Sequence, residues 1–448
     1  MTASLPELAE ALLAAAKKAG ADEADAIVLR ERAVSVSVRG GRLEHAESAE
    51  GTDIGLRVLV GRRQACVSAS ETGAETIRTM AERAVLMARE APEDPAVGLA
   101  DPAQLARMRD AGRLELCDPS PPPAPAALRD AARAAEAAAL EVPGVSQVDS
   151  ATADHAHREF HLAASNGFSG GYARTGHGLS CVAITGSGTE MERDHFGEYR
   201  TFRADLPDPA EVGRIAAERT VARAGARKPP TGAFPVLFDE RVAASLIGHL
   251  LAAVNGAAVA RGASWARELL GRRILPTGLS LIEDPHRPRA ARSRLFDAEG
   301  LPTARRAIVD AGVLTGWTLD LASARKLSME PTGNAARSVS APPAPAAWNV
   351  VLDQGGQDRA GLIRDMGRGL LVTSLIGTSV NPTTGDYSRG ASGFWVEGGE
   401  IAHPVNECTI AGNLIEMLAS LVPANDARPH RAHVVPSLLV EGMTLAGK

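Results

Sequence analysis

Aromatic side chains are scarce in this 448-residue chain, at 3% of the whole, and there are only four cysteines. With so few rings, any core has to be built from alanine, valine, leucine and isoleucine. Cys66, Cys117, Cys181 and Cys408 lie far apart. They form no CxxC pair and no zinc-ribbon spacing, so neither a disulfide framework nor a structural metal site is indicated, and a reducing cytoplasm fits. A basic surplus is missing as well: the net charge is -6 and the pI is near 6.0. That balance gives no overall attraction to nucleic acid or to an anionic membrane. The opening MTASLPELAEALLAAAKKAG carries acids among its leucines and lacks the basic and apolar blocks of a signal peptide. It reads as a first helix. One charge-free run, Val242 to Ala260, approaches membrane-spanning length. Ser245, His249 and Asn255 would then sit near the bilayer centre, so a tightly packed core helix is the better reading.

Catalytic signatures are also wanting. No H-E-x-x-H or H-E-x-x-x-H occurs, although a zinc peptidase needs two such histidines one turn apart on a helix face. The helix where they would be sought carries His249 alone, which reads as a hydrogen-bonded core residue. There is no G-x-S-x-G elbow, and Cys408 has only His403 near it in sequence. Gly186-Ser187-Gly188 reads as a hairpin turn, since no helix start follows to cradle a phosphate.

What is present is an ordinary globular composition, 45% hydrophobic and 23% charged, in a chain long enough for two or three domains. Leucines at helical spacing up to Gly20 give a helix. Period two through Val34, Val36 and Val38 gives a strand over Asp25 to Arg39, followed by a polar connection, a strand over Gly55 to Val60 and a third over Ala65 to Ser68. Thr72 to Glu90 returns to helical period. The opening third is therefore an α+β meander with helices on one face. Pro119 to Pro125 is an extended connection, and an alanine-rich helix follows to Leu140. Strand pattern resumes at His155 and turns at Asn166-Gly167, and a helix over Pro209 to Ala224 closes the first half. Arg227 to Gly232 breaks both periodicities and marks the boundary. The division is 1–225, an N-terminal α+β domain with an antiparallel sheet, and 226–448, a C-terminal, mostly antiparallel β domain.

Ile376 to Asn413 packs glycine, aromatic and polar residues more densely than the rest. Gly398-Gly399, between Phe394 to Glu397 and Glu400 to Val405, reads as a hairpin turn needing positive φ. Upstream, Asn381-Pro382-Thr383-Thr384-Gly385-Asp386 is turn chemistry. Arg389 offers a planar fork of donors for a carboxylate or a peptide carbonyl, with Asp386 and Tyr387 placed to orient it. The plainer alternative is a solvated turn with Arg389 paired to an acid. His155, His157 and His161 in DHAHREFHL could in principle chelate, the first two sharing a strand face, or could mark a solvated strand end. His430 and His433 raise the same pair of readings.

The quoted segments resemble the TldD/PmbA family, in its PmbA (TldE) branch, along nearly the whole chain. GADEADAIVLRERAVSVSVRGGRLEHAES, SNGFSGGYARTGHGLS, ARKLSMEPTGNAAR and the long NPTTGDYSRGASGFWVEGGEI run carry the resemblance. Members are described as modulators of DNA gyrase and are classed with metallopeptidases. The resemblance implies a heterodimer in which a TldD-type subunit supplies an H-E-x-x-x-H zinc site, acting on unfolded or leader-bearing peptides. Where that zinc helix is expected, this chain reads Ile247-Gly248-His249-Leu250-Leu251-Ala252, so it is expected to bring no zinc of its own. Asn381, Asp386, Tyr387 and Arg389 are then candidates to line the peptide's path, and the chain itself would be noncatalytic. Two other readings stand beside this one: a peptide-binding or chaperone-like homodimer, and an autonomous hydrolase built on the His155, His157 and His161 cluster.

Overall fold

The first helix forms where the leucine spacing places it. α1 (Leu5–Ala19) opens with a reciprocal capping box between Ser4 and Glu7 and stops at Gly20, whose φ of 97° is a left-handed cap that glycine adopts without a Cβ clash. The computed structural model describes residues 3–447, the side chain of Thr378 excepted. After α1 come β1 (Glu23–Arg39), β2 (Arg42–Val60), β3 (Arg63–Ala69), α2 (Ala74–Glu90), α3 (Pro125–Leu140), β4 (Val145–Ala164), β5 (Ser169–Thr185), β6 (Glu192–Arg200) and α4 (Pro209–Val221). The strands form a six-stranded antiparallel sheet in the order β3-β2-β1-β4-β5-β6.

Alternate residues of β1, Ala24, Ala26 and Val28 at one end and Val36 and Val38 at the other, pack against α1 and α2 and against α3 and α4 respectively. All four helices therefore lie on one face, as the period-two pattern requires. The other face, with Leu59, Phe160 and Leu162, is covered by loop residues such as Leu99 and Leu116 and by Leu295 and Phe296 from the second half.

Two expectations for this sheet need correction. The polar stretch before Gly55, read as a connection, is strand: β2 pairs with β1 from Arg42 onward. From Arg42 to Gly51 it is exposed on both faces, so no alternation of apolar residues is demanded and none is there to be read. Likewise β4 begins at Val145 rather than at His155, which puts the histidines in mid-sheet and not at a solvated end.

The second half opens with β7 (Gly232–Phe238), α5 (Glu240–Ala253) and α6 (Gly256–Ala260). The charge-free run is thus two helices, broken at Val254-Asn255. Asn255 leaves helical geometry and caps α6, its side-chain oxygen accepting from the amides of Ala257 and Ala258. Short pieces follow: β8 (Leu281–Glu283), β9 (Arg306–Asp310), β10 (Val313–Leu314), α7 (Leu321–Leu327), β11 (Ala335–Ala336), β12 (Ala344–Pro345), β13 (Val350–Leu352) and α8 (Arg359–Met366). The chain ends in β14 (Gly369–Val380), β15 (Asp386–Glu397), β16 (Glu400–Asn413), α9 (Leu414–Ala419), β17 (Val422–Pro423), β18 (His433–Val434) and β19 (Leu438–Ala446).

The C-terminal sheet runs β16-β15-β14-β7-β19-β17 and closes on itself where β16 also pairs with β19. Pairing is antiparallel except between β14 and β7, and a smaller sheet, β10-β9-β8-β13-β18, lies beside it. Gly398 and Gly399 turn the β15–β16 hairpin with φ of 64° and 79°, as the glycine pair implied. α5 packs Ala243, Leu246, Ile247 and Leu250, all fully buried, against Phe238, Val372 and Ile410 on one face of this sheet. α8 covers the other face through Leu362, Ile363 and Met366. The fold is mixed α and β, with a C-terminal part that is mostly strand. Among the described residues no helix is long and apolar enough to cross a membrane.

Candidate functional site at the open edge of β14

β7 pairs with β14 only from Leu370 to Val372, because the chain leaves the sheet at Asp239 to begin α5. From Thr373 to Val380 the β7 side of β14 therefore carries no strand, while its other side stays paired with β15. Ile376 on this stretch is 73% exposed. An unpaired strand edge is a row of free amides and carbonyls, able to accept an extended peptide as an added strand.

Beneath that edge, β15 and α5 bring three polar side chains together. Tyr387, Arg389 and Ala391 alternate onto the sheet face that α5 covers. The His249 ring meets the Tyr387 ring edge to face, with centroids 5.8 Å apart. Nε2 of His249 and Nε of Arg389 are buried without a partner, and the buried Tyr387 hydroxyl lies against the Arg389 guanidinium. Burial pushes the Tyr387 phenol up to about 12, partly countered by the neighbouring Arg389 guanidinium. Burial and the same guanidinium hold the His249 imidazole below its usual range. At neutral pH the cluster is thus a neutral imidazole, a neutral phenol and a cation, two of them donors suited to a peptide carbonyl or a carboxylate. Leaving such groups unpaired in the interior costs about 1–3 kcal/mol each, so an arriving polar ligand relieves a standing penalty.

The predicted site residues thus divide. Tyr387 and Arg389 converge on α5, and Arg389 belongs to a strand rather than to a solvated loop. Asn381 and Asp386 are occupied in holding the turn. The Asn381 side chain accepts from the amides of Thr383 and Thr384, and Asp386 accepts from the Thr384 hydroxyl at 2.6 Å and from Asn413 at 3.2 Å. Those two bonds keep the Asp386 carboxyl below its usual range. Asp386 starts β15 with the alternation opposite to that of Tyr387 and does not orient Arg389. His249, read from sequence as a hydrogen-bonded core residue, has an unpartnered nitrogen instead. No local signal could reveal this, because its neighbours come from β15.

The residues grouped here do not fit a zinc ion. One turn either side of His249, α5 offers Ser245 and Ala253. The Cys408 thiol donates to the Ala391 carbonyl at 3.1 Å and is pushed by burial up to about 11. Among the described residues no three His, Cys, Asp or Glu side chains are grouped to hold a metal.

The other histidine cluster comes apart. His155 is buried and stacks on His177, its cross-strand partner, with centroids 4.6 Å apart. His157 lies 3.7 Å from Glu159, and His161 bonds the Ser169 hydroxyl at 2.9 Å. His430 bonds Glu198 at 3.0 Å, and the half-buried His433 keeps a buried Nε2 with no partner among the described residues.

The chain matches the PmbA/TldA metallopeptidase domain 1 over residues 24–88, the central domain over 117–224 and the C-terminal domain over 231–447. A metalloprotease PmbA of Escherichia coli O157:H7 is 35% identical over 95% of this chain and 93% of its own length. A protein of Bacteroides thetaiotaomicron described as a modulator of DNA gyrase superposes with a TM-score of 0.90 at 27% identity, covering 99% of this chain and 98% of its own. TldE of Thermococcus kodakarensis shares the fold, with a TM-score of 0.85 at 22% identity over 98% of this chain and all of its own.

Proposed function

The chain belongs to the PmbA/TldD metallopeptidase family, and from that membership we propose that it is a noncatalytic, peptide-guiding subunit whose hydrolytic zinc is supplied by a TldD-type partner. The observation that supports this reading is the buried trio of His249, Tyr387 and Arg389 under the open edge of β14, at a helix position that, among the described residues, provides one histidine and no companion ligand. An extended, unfolded or leader-bearing peptide would add to Thr373–Val380 by main-chain bonds, which ask little of its sequence. Arg389 and Tyr387 would then take one carbonyl or the terminal carboxylate, while the Asn381 turn frames the end of the path. In this scheme residues 1–225 and 226–448 act as the two units of the subunit, working in the cytoplasm.

The test is reconstitution. The purified chain, a TldD-type subunit and the mixture are each given a disordered polypeptide, with and without chelator. Cleavage by the mixture well above either component alone, and abolished by chelator, supports the assignment. Equal cleavage by the TldD-type subunit with or without this chain refutes it.

A further inference from the structure

A second site lies between the two halves of the molecule, away from the β14 edge. β6 and α4 form one wall of a cleft of about 450 Å³, and the first turns of α5 and residues 428–435 form the other. We propose that this cleft binds a phosphate-like oxyanion.

The argument is one of charge. Glu198 is contacted by the guanidiniums of Arg200, Arg428 and Arg431 at 2.9, 2.7 and 3.3 Å. Arg428 also reaches Glu240 at 2.6 Å. Arg219 lines the cleft with no carboxylate within ion-pair distance: it donates to the His195 carbonyl at 3.3 Å and lies over the Phe196 ring. Three guanidiniums that line the cleft, of Arg219, Arg428 and Arg431, are thus set against two carboxylates, Glu198 and Glu240. Around them Arg223, Arg241 and Arg359 pair with Glu192, Asp194 and Asp239 and leave no surplus in either sense. One positive charge, that of Arg219, remains unanswered in a partly desolvated cleft, a costly arrangement unless an anion completes it.

The donors suit a tetrahedral oxyanion. Guanidinium forks match phosphate oxygens in pairs, and His433 adds a buried Nε2 without a partner at the cleft wall. Phe196 and Tyr199 line the same space and would face the organic part of a phosphate ester. Because the walls come from both halves, an occupant would join them, and a ligand that binds only the folded chain raises its stability.

The experiment titrates the full chain with inorganic phosphate against chloride at matched ionic strength, by calorimetry and by thermal melting. One saturable site and a higher melting temperature are expected. Both should weaken by about tenfold or more in affinity, some 1.4 kcal/mol, in Arg219→Gln and in Ala244→Glu, and persist in Arg78→Gln on the remote surface of α2. Ala244→Glu places a carboxylate in the cleft without breaking an existing ion pair, so the test stands even where Arg219→Gln fails to fold. Absence of saturable phosphate binding, or unchanged binding in Ala244→Glu, overturns the proposal.

Discussion

His155 and His177 face each other across β4 and β5, while His249 faces Tyr387 between α5 and β15, and each place buries an imidazole nitrogen without a well-aligned hydrogen bond. The first pair lies in mid-sheet, with β1 on one side and β6 on the other, and its His177 Nε2 is 3.5 Å from the buried Asp118 carboxylate. The second lies where β7 has left the sheet and β14 stands open, beside the Arg389 guanidinium, whose buried Nε has no partner among the described residues. Burial of an unsatisfied group is common to both, so by itself it identifies nothing. What separates them is the company each keeps: an acid stands near the first pair, whereas the second lies under an unpaired strand edge along which, in the proposed scheme, a peptide would arrive.

The largest expected effect breaks this comparison or keeps it. In the reconstituted pair, Arg389→Ala should lower kcat/KM for an unfolded substrate about 100-fold, the scale of losing one aimed donor in a dry site. His155→Phe should leave kcat/KM within about twofold, as changes away from a site usually do. Equal losses from the two variants would erase the distinction. Tyr387→Phe, which removes only the hydroxyl, should cost about tenfold, with more of the loss in KM if the phenol holds ground-state peptide.

A pH series examines what the two regions share. Burial drives the imidazoles of His177 and His433 down to about 4, against an unfolded value near 6.5. Between those values the unfolded chain binds more protons than the folded one, so stability should be level above about pH 6.5 and fall as the pH drops towards 4. Urea midpoints across that range measure it, and His177→Phe should flatten part of the slope. The smallest effect belongs to the turn. Asn381→Ala removes two amide acceptances and should cost about 1 kcal/mol of stability by urea unfolding. A loss of cleavage much larger than that would move Asn381 from holding the turn to touching the peptide.

Much of the scaffold was legible because its signals are local. The Ser4–Glu7 box, Gly20 and the Gly398-Gly399 pair each act within a few residues, and they produced the helix and hairpin they imply. β2 was half hidden because its Arg42 to Gly51 stretch, beyond the reach of β3 and exposed on both faces, carries no alternation. Asn255 ended α5 early through bonds to the next helix turn and to the Pro345 carbonyl, which hydropathy does not register. The site was legible only in part. Tyr387 and Arg389 stood out through their glycine-rich setting, but their meeting with His249 depends on α5 crossing β15, a tertiary fact that no spacing records.

The claim beneath this account is that α5 guides a peptide and does not grip a metal. Equilibrium dialysis of the purified chain against zinc, read by elemental analysis, tests it most directly. The account predicts no stoichiometric zinc, and the same background in the wild-type chain as in His249→Phe. One zinc per chain, lost in His249→Phe, would contradict it.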